Sequence, residues 1–119
     1  MNIMKDLDYF KPVQKDGYVE FVLPIDIKMF KACLRLHIYN TENGYAISDD
    51  GYTFYDFNED SEYYYNLYKE HNKYHYDILL NDNYFYKEYK NNFNINVAIN
   101  EFVRFFIYLD DYIVKNNIC

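Results

Sequence analysis

Asn43-Gly44-Tyr45-Ala46-Ile47-Ser48-Asp49-Asp50-Gly51-Tyr52-Thr53-Phe54-Tyr55-Asp56-Phe57 is the stretch on which the reading of this chain turns. Two runs rich in β-branched and aromatic residues flank Asp50-Gly51. Asp-Gly is favoured where both turn residues take φ > 0, the geometry that matches strand twist. The pattern predicts a tight β-hairpin. The same stretch sits in the most acidic part of the chain. Between Arg35 and Lys69 there is no lysine or arginine, while Glu42, Asp49, Asp50, Asp56, Glu59, Asp60 and Glu62 all fall in that interval.

Working outward, residues 32–39 alternate cleanly. Leu34, Leu36 and Ile38 share one face, and Cys33, Arg35, His37 and Tyr39 share the other, as in an antiparallel sheet covered on one side. The polar loop Asn40-Thr41-Glu42-Asn43-Gly44 joins this strand to Tyr45–Ser48. Before it, Val19, Phe21 and Leu23 oppose Tyr18, Glu20 and Val22 in a strand that Pro24 is expected to close, with residues 25–30 as a connection. The meander so predicted spans residues 18–57. Over residues 2–11, Ile3, Met4, Leu7 and Phe10 form a helical stripe that Pro12 ends.

On the C-terminal side, Asn58-Glu59-Asp60-Ser61-Glu62 supplies capping oxygens and first-turn carboxylates. A helix over residues 60–72 follows, with Tyr64, Leu67, Tyr68 and His71 on one face. Residues 76–89 read as a second hairpin about Asn81-Asp82-Asn83. A terminal helix over residues 97–115 carries Phe102, Phe105, Phe106, Leu109 and Ile113, widened by Val103, Ile107 and Val114. A stripe this wide predicts a helix lying across the sheet and touching the other helix; the alternative is that part of it forms a dimer interface. The expected fold is α+β, a single domain over residues 1–119: a small antiparallel β-meander packed against two longer α-helices, with a second short hairpin between them.

With 119 residues, half of them apolar, the chain suits one compact domain. No apolar run approaches the ~20 residues that span a bilayer, and the first residues lack the apolar core of a signal peptide. Cys33 and Cys119 suit neither a disulfide framework nor a metal cluster. These features predict a cytoplasmic protein with free thiols and no membrane partner. The 17 tyrosines and 10 phenylalanines invite a base-stacking surface. However, 12 basic against 19 acidic residues give a net charge of −7, which repels phosphate and argues against direct nucleic-acid binding.

Signatures of catalysis are sparse. Gly17, Gly44 and Gly51 form no phosphate loop, and neither a hydrolase elbow nor a zincin histidine pair is present. His71 and His75 would face together as a metal pair if their helix continued, but two ligands do not make a site. Asp49, Asp50, Asp56, Glu59 and Asp60 could collect a divalent cation. Turn and cap chemistry already accounts for Asp50 and Asp60. No catalytic residue, metal site or cofactor is assigned, and the expectation is a non-enzyme.

The order Leu23-Pro24-Ile25-Asp26, a strand, Gly44-Tyr45-Ala46-Ile47-Ser48-Asp49-Asp50-Gly51-Tyr52-Thr53, a helix, a hairpin and a closing helix with Leu109-Asp110-Asp111 resembles the bacterial and phage domain of unknown function numbered 1828. The resemblance runs from about Phe21 to Asp111, and Asp49, Asp50, Gly51 and Tyr52 match the family's turn. It implies a prophage or mobile-element context in a bacterial cell and carries over no catalytic residue. The chain departs from the family in being rich in tyrosine and asparagine, and no partner domain is expected after its closing helix.

Together these observations predict a phage- or mobile-element-encoded binding protein. It would set Glu42, Asp49, Asp50, Tyr52, Asp56, Glu59, Asp60 and Glu62 against a basic protein surface, such as that of a bacterial defence nuclease or CRISPR effector. Two alternatives stand beside it. One is a homodimeric regulatory module with the terminal helix as interface, and the other is an enzyme with a carboxylate-bound metal.

Overall fold

The alternation of apolar side chains builds an antiparallel sheet in the computed structural model, which describes residues 12–27, 32–51, 61–81 and 84–115. Among these residues the strands are β1 (Val13–Lys15), β2 (Tyr18–Ile27), β3 (Ala32–Thr41), β4 (Gly44–Ser48), β5 (Leu79–Asn81) and β6 (Tyr84–Lys90). The helices are α1 (Ser61–His71) and α2 (Ile95–Lys115). The strands form one sheet in the order β1-β2-β3-β4-β6-β5, so the fold is α+β as expected. The second hairpin extends the meander's own sheet, because β6 pairs with β4. The helix expected over residues 2–11 lies outside the described residues.

Register places one apolar face against the helices. Val19 pairs with Ile38, Leu23 with Leu34, and Ile38 with Ile47, so these side chains line one side of three adjacent strands. Phe85 and Tyr89 continue that side on β6, and Phe102, Phe105, Phe106, Leu109 and Ile113 of α2 close over it. The ring of Phe105 meets Tyr65 at 5.8 Å and Tyr68 at 5.7 Å, so α2 lies across the sheet and also touches α1. Of the three residues expected to widen the stripe, Val103 is partly buried, whereas Ile107 and Val114 are exposed. They lie on the far side of the helix.

Four of the 17 tyrosines belong to the core. Tyr45, Tyr65, Tyr68 and Tyr89 are buried, and each donates its hydroxyl hydrogen bond inward. Tyr45 reaches the Phe93 carbonyl at 2.8 Å, Tyr65 the Ile78 carbonyl, Tyr68 the Tyr74 carbonyl at 2.8 Å, and Tyr89 Glu101 Oε2 at 2.9 Å. A buried hydroxyl without a partner would cost its desolvation, so these bonds let tyrosine serve as a core residue. Burial pushes the Tyr45 and Tyr65 hydroxyls up to about 12, helped by the charges of Glu101 and Asp77 respectively. On α1, Tyr65 and Tyr68 are buried and Leu67 is half-buried, whereas His71 is exposed, so Tyr65 joins the predicted stripe and His71 leaves it.

Several elements depart from the sequence reading. β1 was not expected; it pairs with β2 through the two-residue turn Asp16-Gly17, where Gly17 takes φ 89°. β2 does not stop at Pro24. Its register with β3 passes from Leu23↔Leu34 to Asp26↔Cys33, leaving Pro24 and Ile25 unpaired in a bulge, where a residue without an N–H is tolerated. Helix α2 begins two residues before the expected Val97, because Asn94 Oδ1 accepts the N–H groups of Asn96 at 2.8 Å and Val97 at 3.2 Å. Lastly, both edges of β4 are occupied, by β3 and β6. The second arm of the hairpin expected about Asp50-Gly51, together with the rest of residues 52–60, lies outside the described residues.

Candidate functional site

The side of the sheet turned away from the helices gathers titratable groups around His37. Glu20 and His37 are direct partners in the β2–β3 register, and Glu20 Oε2 lies 2.7 Å from His37 Nε2. The other ring nitrogen, Nδ1, meets Asp50 Oδ2, and the Tyr39 hydroxyl donates to that same oxygen. A Tyr18 ring 4.5 Å away covers the imidazole, which is 3% exposed. Carboxylate oxygens only accept, so this clamp is complete when both ring nitrogens donate. With both nitrogens taken and the ring buried, His37 tethers β2, β3 and the turn after β4, and offers a substrate no free nitrogen.

Glu20 anchors the other end of this network. Its carboxyl is held below the ordinary 4.5: burial alone would raise it, but the hydrogen bond and charge of His37, then the charges of Arg35 and Lys15, outweigh burial. Arg35 Nη1 lies 3.5 Å and Lys15 Nζ 4.0 Å from it. A carboxyl held lower in the folded state than in the unfolded chain contributes stability above 4.5, and that contribution is lost as pH falls through the folded value. Wild-type stability in urea should therefore drop more steeply than that of Glu20→Gln between about pH 5 and pH 3. Parallel slopes would remove Glu20 from the account.

The Asp49-Asp50-Gly51 turn combines the expected backbone with a buried carboxylate. Asp50 and Gly51 do take positive φ, 50° and 85°, as the Asp-Gly pair predicts. Asp49, however, is fully buried and points into the protein. Its Oδ1 accepts the Phe85 N–H at 2.8 Å and the Gly51 N–H at 3.2 Å, while its own N–H donates to the Phe85 carbonyl at 3.2 Å. The carboxylate thus continues the β4–β6 ladder after the last β4 residue. At the other end of β4, a side chain on Gly44 would collide with the Tyr89 carbonyl and lie 2.8 Å from the Asn91 nitrogen, so the two strands close there only because residue 44 is glycine.

The predicted partner-binding residues separate accordingly. Asp49 is removed from any surface by its burial. Asp50 is exposed but already engaged by His37 and Tyr39. Glu62 is exposed in the first turn of α1. Tyr52, Asp56, Glu59 and Asp60 lie outside the described residues. Glu42 stands exposed in the β3–β4 turn and lines an open groove of about 390 Å³ with Thr41, Asn43, Glu88, Tyr89 and Lys90. The sequence reading missed Glu88, because only the β4–β6 pairing brings it to Ala46 and so beside that turn. Among the described residues neither Glu42 nor Glu88 has an ion pair or a side-chain hydrogen bond.

Two further expectations meet the structure here. α1 ends at His71, so His75 does not share its face; His75 Nδ1 instead accepts the Asp77 N–H at 3.3 Å. Among the described residues no three His, Cys, Asp or Glu side chains stand together as metal ligands, and no helix is long and apolar enough to cross a membrane. No family model, curated protein or solved structure matches the chain. The resemblance rests only on Leu23–Asp26, Gly44–Thr53, Leu109–Asp111 and the order of elements between them.

Proposed function

We propose that this chain is a non-enzymatic protein-binding module that sets carboxylates and tyrosines against a basic protein surface. The observation that carries the reading is the pair Glu42 and Glu88, two exposed carboxylates lining one groove, neither of which has an ion pair among the described residues. Lys90 is the cation in the groove's lining, and the chain as a whole carries a charge of −7. Such a field steers positively charged partners and raises their association rate. Basic clefts of that kind are what nucleic-acid enzymes use to hold phosphate, and a bacterial defence nuclease, tested as a CRISPR effector, is the partner class this surface suits.

The test is binding of the full chain to a purified CRISPR effector with and without its guide RNA, at low and high salt, beside Glu42→Lys/Glu88→Lys. Both residues are exposed and make no ion pair or side-chain hydrogen bond among the described residues, so the variant should fold as the parent does. Binding should weaken by at least about tenfold in the variant and fall with added salt. Binding unchanged by the substitutions, or no binding at low salt, would overturn the reading for this partner.

A further inference from the structure

The outward side of α2 carries a charge pattern that complements itself. Arg104 and Asp111 lie near the middle of that side, two turns apart, with Ile107 and Tyr108 between them. Ile107 is 43% exposed and Tyr108 37%. The order Arg-x-x-Ile-Tyr-x-x-Asp is symmetric about the Ile107–Tyr108 bond in position and opposite in charge at its ends. If a second copy of α2 is laid antiparallel across the first at that bond, Arg104 of each comes level with Asp111 of the other, the two Arg–Asp pairs stand about 10 Å apart along the axis, and the two apolar pairs meet in the centre.

We infer that this face binds a second copy of the same chain, in a two-fold antiparallel contact centred on Ile107 and Tyr108. The reasons lie in what the single chain leaves unused. Arg104 is exposed and, among the described residues, has neither an ion pair nor a side-chain hydrogen bond. Asp111 is held by Lys115 at 2.9 Å, but both side chains are mostly in water, where such an i,i+4 pair contributes little and is readily exchanged. An arginine fork on a carboxylate is the stronger arrangement. Ile107 and Val114 point away from the core on a helix whose other side already fills it, and Tyr74, packed 5.2 Å from Tyr108, widens the apolar patch with a ring that is itself exposed. One helix face is a small interface, so the association is expected to be weak and concentration-dependent. This contact lies on the opposite side of the molecule from the sheet face and is independent of the binding role proposed above.

Sedimentation of the full chain over a micromolar concentration series tests it. The parent should shift toward twice the monomer mass as concentration rises. Arg104→Glu alone and Asp111→Arg alone each set like charges against one another and should weaken association at least about tenfold. The double variant R104E/D111R reverses both charges and should restore it. All these sites are exposed, so circular dichroism should show the parent's helix content in each. A parent that stays monomeric throughout, or a double variant no better than the singles, overturns the inference.

Discussion

Phe85→Ala should lower the unfolding free energy by about 3–5 kcal/mol, the loss expected when a large ring leaves a cavity that its neighbours cannot close. Phe85 is fully buried on β6 and is the ring where three elements meet. It lies 5.4 Å from Tyr65 of α1, and 5.3 Å and 5.2 Å from Phe105 and Phe106 of α2, in edge-on contacts. Such pairs add to the area buried because the ring edge of one meets the electron-rich face of the other. Two of the three neighbours sit on one helix and the third on another, so no single side-chain rotation fills the space. Urea unfolding of the variant beside Phe93→Ala is the measurement. Phe93 is 36% exposed, and its loss should cost about 1 kcal/mol or less. Equal losses at the two positions would mean that the sheet–helix junction is not where stability concentrates.

What the sequence shows of this fold, and what it hides, follows from the range of each interaction. The β3 face, the β3–β4 hairpin and the apolar stripe of α2 come from side-chain periodicity, which is local, and all are present. Strand neighbours are not local. Two Asp-Gly pairs occur in the chain: Asp16-Gly17 closes a hairpin, while Asp50-Gly51, with the φ values such turns favour, ends a strand whose two edges are both taken. Turn chemistry fixes the backbone at the turn, whereas the neighbours of β4 are set by pairing between segments distant in sequence. The same limit hid the site. His37 is on the correct face by alternation, but its clamp needs Glu20 opposite it across the β2–β3 register and Asp50 brought over from the far side of β4. Glu88 reaches the Glu42 groove only through the β4–β6 pairing. Pro24 misleads for a related reason: a bulge removes the requirement for its missing N–H, and nothing within the strand announces the bulge.

Asp49→Ala should cost about 2–4 kcal/mol, whereas Asp49→Asn should cost about 1 kcal/mol, because the amide keeps an oxygen where Oδ1 now lies. In the alanine variant the Phe85 and Gly51 N–H groups lose their acceptor in a buried setting, and each then bears a desolvation penalty of about 1–3 kcal/mol, eased where the turn relaxes. Urea midpoints of the two variants, with hydrogen exchange at the Phe85 amide, test this directly: the alanine variant should lose protection there and the asparagine variant keep most of it. An alanine variant within about 0.5 kcal/mol of the parent would show that the bond to Phe85 is not needed to end β4. The outcome also governs how the acidic stretch is probed. Asp49 and Asp50 are adjacent and alike in sequence, yet one holds the β4–β6 ladder from inside while the other clamps His37 from outside. Reversing both charges together would remove a ladder acceptor and the His37 clamp at once, and any binding lost would be lost through the fold. Glu42 and Glu88, which have no ion pair or side-chain hydrogen bond among the described residues, are the carboxylates whose reversal tests recognition alone.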